Sequence, residues 1–383
     1  MEELTLAVGD IIVGMDIGTS KISLVIGEVN NFGQIETICS ASNMCNGIKK
    51  GITIHGKDVT IVQNSVTKEV KDRYAGISAK DVSSAIMQAK DIDVPENKTI
   101  IDIVAEKFIL DDGKTISDPI GSFCASFTLK AQIVLANKEY IRQIHNIFRK
   151  ADLEIDGIVP ITLAEKNVVL DTNELNDNIM ILDIGAGNTE IGVFEGTEFI
   201  YTNTIPLGGD NITNDIALVL NISVEEADKL KKQYGLAMKS YIDNDNEIML
   251  NTCKDENKNK IIKSSELIEI IEARIEEMFK LINDDITAHG VKQRINNVVL
   301  TGQGIVNISK SDVAGKVILN IPVKISTGRM VSTIRPGYRT AYALVRYVAS
   351  RQFAKNVSSS IDTHSEKSIV KVILEKIKDF FYS

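Results

Sequence analysis

Tryptophan is absent from the 383 residues, and proline, cysteine and histidine are scarce, at 6, 4 and 4. The four cysteines (Cys39, Cys45, Cys124, Cys253) form no Cys-x-x-Cys pair, and the histidines (His55, His145, His289, His364) stand at no metal-ligand spacing. A zinc site and a disulfide framework are therefore not expected, and a reducing compartment fits better. Positive charge is lacking too. The formal net charge of -9 argues against a nucleic-acid partner held by phosphate contacts and gives no whole-protein attraction to an anionic membrane. No apolar run reaches about 18 residues, so no segment is expected to span a bilayer. The Met-Glu-Glu-Leu start shows no basic region followed by an apolar core, so no secretory signal is expected and the cytoplasm is the expected location.

What is present is ordinary globular material, 44% hydrophobic and 25% charged, in a length with room for roughly two or three domains. Ile11 to Met15 and Ile22 to Val29 read as strands joined by a tight turn, and Gly47 to Gly56 as a loop. Val59 to Arg73 has helical spacing, and Asp81 to Lys90 reads as a helix. Ile100 to Val104, Phe108 to Leu110 and Phe127 to Leu135 read as short strands before a helix at Lys138 to Ala151, the texture of a small α+β module. A second strand pair, Ile179 to Leu182 and Ile191 to Phe194, precedes helices at Asn211 to Leu220, Val224 to Tyr234 and Ser265 to Thr287. The polar Lys239 to Lys260 stretch reads as a variable loop or hairpin. A strand at Asn297 to Leu300 and a helix at Tyr338 to Ala349 follow, then a polar linker, Lys355 to Ser368.

Two of these segments repeat one pattern. Val-Gly-Met-Asp16-Ile-Gly18-Thr19-Ser20-Lys21 and Met-Ile-Leu-Asp183-Ile-Gly185-Ala-Gly187-Asn188-Thr189 each carry an apolar strand, Asp-Ile-Gly, a polar turn and a second apolar strand. An aspartate ending a strand leaves its carboxylate at the sheet edge where α/β folds place ligands. The glycines let backbone N–H groups approach phosphate oxygens with no Cβ between them. Thr19, Ser20, Asn188 and Thr189 add donors, and Lys21 adds a point charge suited to phosphate. Asp16 and Asp183 are candidates to hold Mg²⁺ through its waters, since that ion keeps much of its hydration. One Asp-x-Gly-Thr is most often a plain turn; two in matching context point to a nucleotide. No Gly-x-x-x-x-Gly-Lys-Ser/Thr loop is present, and Gly185-Ala-Gly187 leads into a strand rather than the helix a dinucleotide fingerprint needs. A third element, Val298-Val-Leu-Thr301-Gly302-Gln303-Gly304, runs a strand into a glycine turn that adenine and ribose could approach.

In this order the three elements resemble the actin/Hsp70/sugar-kinase ATPase superfamily, as its phosphate-1, phosphate-2 and adenosine motifs. Within it the chain resembles the FtsA family of bacterial division proteins over nearly its whole length. The resemblance implies an α/β, actin-like ATPase fold: two RNase H-like halves around a nucleotide cleft, with a small inserted α+β subdomain. It divides the chain into a first half at 1–75, 160–205 and 337–352, an inserted subdomain at 76–159, a second half at 206–230 and 297–336, and its upper part at 231–296. A linker (353–367) and a terminal helix (368–383) complete it. Phe108-Ile-Leu-Asp-Asp with Asp118-Pro-Ile-Gly121 resembles the family's insert, and Ile205-Pro-Leu-Gly208-Gly209 its second-domain entry. Ala227-Asp228-Lys-Leu-Lys231 resembles the helix whose acidic residue and lysine meet the nucleoside; at i and i+3 the two share a face. Ala273-Arg274-Ile-Glu-Glu277 stands where the family meets the tail of the tubulin-like protein FtsZ.

There are departures. Asp228 stands where Glu is usual, and Gln303 replaces a glycine. Between about Val70 and Ser78 the chain is short, which predicts that a strand opening the insert is missing and leaves self-association into filaments open. No residue stands out as a water-activating base; Glu165, in the Pro160 to Leu170 segment, and Asp183 are the candidates. Slow ATP hydrolysis at most is expected, with nucleotide as a structural switch.

The end of the chain, Ile369 to Tyr382, places Ile369, Ile373, Ile377, Phe380 and Phe381 along one helical side. Leu374 and Val370 widen the stripe and Lys371, Glu375, Lys378 and Asp379 fall opposite. After a polar linker this pattern suits a helix lying in a membrane interface, and the family resemblance implies the same. The expected partners are thus FtsZ and lipids at the cytoplasmic face of the membrane, at the division site. A small-molecule kinase of the same superfamily would have no use for such a tail, an Hsp70-like regulator would need a peptide-binding β-domain after the ATPase core, and a pilus-assembly relative shares the insert.

Overall fold

The computed structural model describes residues 9–30, 34–44, 56–71, 74–250, 260–326 and 335–356. The membrane-helix candidates Ile369, Ile373, Leu374, Ile377, Phe380 and Phe381, nearly all of the linker and most of the Gly47–Gly56 loop lie outside these residues.

The chain opens with an antiparallel sheet of β1 (Ile11–Ile17), β2 (Lys21–Val29) and β3 (Ile35–Met44). A second sheet has the order β4-β7-β5-β6, from β4 (Thr60–Glu69), β5 (Lys98–Leu110), β6 (Thr115–Ile116) and β7 (Ser126–Asn137). The helix between β4 and β5, α1 (Ala79–Ala89), is fixed at its start by a reciprocal cap between Ser78 and Asp81; α2 (Lys138–Lys150) is capped by Asn137.

Two sequence expectations fail here. Thr60–Glu69 is a strand and not a helix, and it pairs with β7 from Thr60↔Leu135 to Glu69↔Ser126. Thr60, Ile61, Val62, Val66 and Thr67 are β-branched, which suits a pleated surface, and the ladder to β7 decides between two short-range patterns that the apolar spacing leaves open. The strand expected to be missing from the insert is therefore present, upstream of the short stretch. The two runs Ile100 to Val104 and Phe108 to Leu110 are likewise one strand, β5, interrupted only by register shifts.

After α3 (Ile161–Val169) come β8 (Ile179–Ile184), β9 (Thr189–Glu195), β10 (Glu198–Ile205), α4 (Gly209–Leu220), α5 (Val224–Tyr234), the hairpin β11 (Glu247–Leu250) and β12 (Lys260–Lys263), and the long α6 (Ser264–Ala288). The chain continues through β13 (Asn297–Thr301), α7 (Ser311–Leu319), β14 (Val323–Ile325) and α8 (Arg339–Asn356). The third sheet has the order β10-β9-β8-β13-β14, with β8 parallel to β13. This corrects the division expected from the sequence, which placed 160–205 with the first half: β8, β9 and β10 hydrogen-bond with the 297–325 strands. A strand buried on both faces carries no mark of which half it joins; β13 decides.

Its two faces explain the burial. Met180, Leu182 and Ile184 face a core shared with α4, α5 and α6, while Ile179 and Ile181 face one shared with α3 and α8. Along α6, Leu267, Ile268, Ile271, Ile275, Met278, Phe279, Ile282 and Ile286 are buried, each worth roughly 1.5–3 kcal/mol relative to exposure. On the other side α8 presses onto β1 so closely that a Cβ on Gly14 would stand 2.2 Å from the Ala341 carbonyl oxygen.

Candidate functional site

Parity along the strands aims both aspartates at one place. Ile12 and Gly14 face α8, so Asp16, two residues on, leaves β1 on the same side; Ile179 and Ile181 do the same for Asp183 in β8. The two strand ends thus converge on the start of α8, where Arg339 stands.

The hairpins match in detail. The Gly18 amide donates to the Lys21 carbonyl and the Gly185 amide to the Asn188 carbonyl, each at 2.9 Å. The same bond in both copies sharpens the turns and leaves the intervening amides of Thr19, Ser20, Ala186 and Gly187 with no backbone carbonyl to donate to among the described residues. The tips face each other: a Cβ on Gly187 would stand 2.9 Å from the Thr19 side chain.

The third element packs on the second hairpin. The Gly304 amide donates to the Ile184 carbonyl at 2.8 Å, the Gly209 amide to the Gly185 carbonyl at 2.9 Å and the Asp210 amide to the Ala186 carbonyl at 2.8 Å. Cβ atoms on Gly208 and Gly304 would come within 2.4 Å of the Ala186 oxygen and 2.2 Å of the Gly185 oxygen, respectively. Gln303 reaches back across the site, its side-chain oxygen accepting from Lys21 Nζ at 3.1 Å. The Thr189 hydroxyl is committed elsewhere, donating to the Leu207 carbonyl at 2.8 Å. Ser20 and Asn188 sit half-buried at the hairpin tips.

Lys231 is buried, its ammonium donating to the Gly209 carbonyl at 3.0 Å and Thr213 Oγ1 at 2.7 Å, with Asp228 at 3.5 Å. It shares a face with Asp228, as the spacing predicts, and ties α5 to the start of α4. Burial would raise the Asp228 carboxyl, but hydrogen bonds and ion pairs with Lys232 and Lys231 hold it below its ordinary value.

Around the aspartates lies a charged cluster larger than the motifs disclose. Glu165 is fully buried, with Oε1 held by Arg339 Nε at 3.4 Å and Thr340 Oγ1 at 3.1 Å while Oε2 has no partner. Arg339 also reaches Asp183 Oδ1, at 3.5 Å. Glu190, directly across the strand pair from Asp183, accepts from Thr204 Oγ1 at 2.6 Å and leaves Oε1 unpartnered. Burial, aided by Asp183, pushes Asp16 up to about 7, and burial pushes Glu190 up to about 8. Burial likewise raises Glu165 and Asp183, with Arg339 opposing in both. The Arg339 guanidinium and the Thr340 hydroxyl both sit on Oε1 of Glu165, which ties up that oxygen and counts against Glu165 as the water-activating base. The residues fit a metal–polyphosphate: carboxyls short of positive charge for the cation, and free amides with Lys21 for the phosphates.

Arg339, Glu190 and Asp215 are the site residues that sequence reasoning missed. Arg339 is the first residue of α8, inside a segment read only as a helix, and Glu190 hides inside a strand; its place beside the Gly187-Asn-Thr189 turn was the one available signal.

The second expected site is separate. Arg274 on α6 pairs with Asp215 of α4 through Nε and, at 3.0 Å, Nη2, and with Glu277 through Nη1. These residues line a groove of about 500 Å³ between α4 and α6, with Val219, Leu220, Ile270 and Ala273 as apolar wall and Glu266 and Glu269 as further acids. No helix among the described residues is long and apolar enough to cross a membrane.

The family model for cell division protein FtsA matches residues 180–343. The model for the SHS2 domain inserted in FtsA matches 56–135, a span that takes in β4. The chain is 25% identical to the cell division protein FtsA of Pseudomonas aeruginosa, over 97% of both chains. It is 26% identical to that of Bacillus subtilis, over 88% of this chain and 83% of the relative. Among solved structures it is similar to the PilM-PilN type IV pilus biogenesis complex (14% identity, 89% of this chain and 98% of that one, TM-score 0.53). It is also similar to MreB5 of Spiroplasma citri bound to ADP (13%, 92% and 100%, TM-score 0.52); these two show the actin-like fold. With both family models matched and relatives aligned over nearly its full length, the chain belongs to the FtsA family of cell division proteins.

Proposed function

We propose that this protein is an ATP-binding adaptor that tethers FtsZ filaments to the cytoplasmic face of the membrane at the division site. ATP with Mg²⁺ sits between the two hairpins: Asp16 and Asp183 face the hydrated ion, Gly18, Thr19, Ser20, Lys21, Gly185, Gly187 and Asn188 face the phosphates, and Thr189 braces the second turn from behind. Gly208, Gly209, Gly302, Gln303, Gly304, Asp228 and Lys231 border the nucleoside. That the similar MreB5 was solved with ADP supports this reading. Turnover is slow, because Glu165 is covered by Arg339, and nucleotide acts as a structural switch. A complete four-stranded insert supports self-association.

The observation that carries the adaptor reading is the groove beside Arg274. An apolar wall with one arginine and several acids at its rim suits a short peptide with an apolar anchor and charges of both signs. The FtsZ C-terminal tail is the occupant proposed, with the 368–383 helix as the membrane anchor. The test is co-flotation of a labelled FtsZ C-terminal peptide with anionic liposomes through the full chain. Arg274→Glu is expected to leave the chain on the liposomes and to lower peptide capture at least about tenfold, as losing a charged anchor does. Removing 368–383 is expected to release both. Peptide capture unchanged in Arg274→Glu, or liposome binding retained without the tail, contradicts the reading.

A further inference from the structure

The Arg339 guanidinium stands between two carboxyls and saturates neither. Its contacts, Nε to Glu165 at 3.4 Å and Nη2 to Asp183 at 3.5 Å, are long beside the 2.7–2.9 Å or so of a settled charge-assisted bond. Nη1 has no partner among the described residues. The side chain is 8% exposed, so little of it meets bulk water. Fixing α8 does not require this charge: Ala341, Ala343 and Val345 are fully buried against β1 and α3.

The surroundings are those of an anion site. Arg339 is the first residue of an 18-residue helix, so its guanidinium is joined by the positive end of the helix dipole. Lys21, the other cation there, has its ammonium on the Gln303 side-chain oxygen. Just before the helix, Gly337 brings its backbone so close that a Cβ would stand 2.8 Å from Lys21 Nζ, and its carbonyl accepts from Ser23 Oγ at 2.9 Å. The start of α8 is thereby pinned to the first hairpin, beside the tips whose amides are free.

We propose that Arg339 is a phosphate-binding residue of the nucleotide site, a resident cation that carries part of the neutralisation otherwise left to a divalent ion, so that the chain holds ATP when magnesium is withdrawn. Guanidinium suits the place because its planar fork can keep one edge on Glu165 and Asp183 while offering another to a phosphate, which a lysine's point charge cannot do. Glu165 is then the positioning residue that keeps the fork in place.

The inference rests on the nucleotide reading above, and the experiment separates the two. ATP is titrated by calorimetry into the full chain in magnesium and in EDTA. The variants are Arg339→Lys, which keeps the buried charge, and Glu165→Gln with Arg339→Met, which removes both members of the Glu165–Arg339 pair. Wild type is expected to lose less than about tenfold in affinity on passing to EDTA. Both variants are expected to lose tenfold to hundredfold or so more in EDTA than they lose in magnesium, the worth of a hydrogen bond to a charged group. Equal losses in both media would make Arg339 a structural residue and overturn the proposal, as would a wild type that binds in magnesium and fails in EDTA. A wild type that binds ATP in neither medium overturns the nucleotide reading itself.

Discussion

Gly302→Ala is expected to cost about 3 kcal/mol of stability and to abolish ATP binding. Gly302 has φ +90°, a conformation that costs an L-residue about 1–2 kcal/mol. The added Cβ would stand 2.2 Å from the Ile184 oxygen and 2.4 Å from Asp183 Oδ1, and relieving an overpacked backbone contact costs about 1–3 kcal/mol more. The only relief is to lift the 302–304 turn off the second hairpin, which breaks the bond from the Gly304 amide to the Ile184 carbonyl and displaces the Asp183 carboxylate. Gly113→Ala is the matched control: φ is +83° but nothing lies within 4 Å of the new atom, so about 1 kcal/mol is lost and ATP binding is unchanged. Thermal melts and ATP titrations of the two variants, side by side, check this. A Gly302→Ala chain that melts with wild type and binds ATP contradicts the packing described.

The ligand-free protein is expected to lose several kcal/mol of stability as pH rises from about 5 to about 8. The cause is the cluster around Asp183. Burial, then repulsion from Asp183, raises Asp16 from 3.8 to about 7, and burial raises Glu190 from 4.5 to about 8. Glu165 and Asp183 are shifted the same way by burial. A group whose folded pKa lies above its unfolded one binds more protons in the folded chain. Its stabilisation is complete below the unfolded value and is lost as pH climbs through the folded one. Carboxyls held low by partners, such as Asp81 by Ser78, act in the opposite sense but below about pH 4, outside this window. Urea unfolding at a series of pH values measures the slope, and Mg²⁺ with ATP should flatten it by replacing the protons with a cation. Stability that is level or rises between pH 5 and 8 contradicts the account.

How much of this could be read from residues alone follows from which signals are local. The hairpins could, because Asp-Ile-Gly and its turn are contiguous and occur twice; their facing contact at Thr19 and Gly187 could not, since it joins distant segments. Helix α6 was legible from its apolar spacing. Thr60–Glu69 was not, because its pattern suits two periods and only the pairing with β7 decides. β8 was read as a strand yet placed with the wrong neighbours, for its sequence says nothing of β13. Arg339 was invisible as a site residue, since its partners Glu165 and Asp183 lie far away in the chain. In the groove, Arg274 and Glu277 were singled out by the family resemblance, whereas Asp215, on another helix, needed the structure.

The central claim is that two matching hairpins, with free amides at facing tips and carboxyls at their roots, grip one nucleotide. Calorimetric titration of ATP into the full-length chain with magnesium tests it most directly, with Gly187→Leu as the partner variant because its side chain would wedge the tips apart at Thr19. The account predicts one ATP bound per wild-type chain, and a loss of about a hundredfold or more in Gly187→Leu, the worth of several charge-assisted hydrogen bonds. A wild-type chain that binds no ATP, or a Gly187→Leu chain that binds it equally well, would contradict the claim.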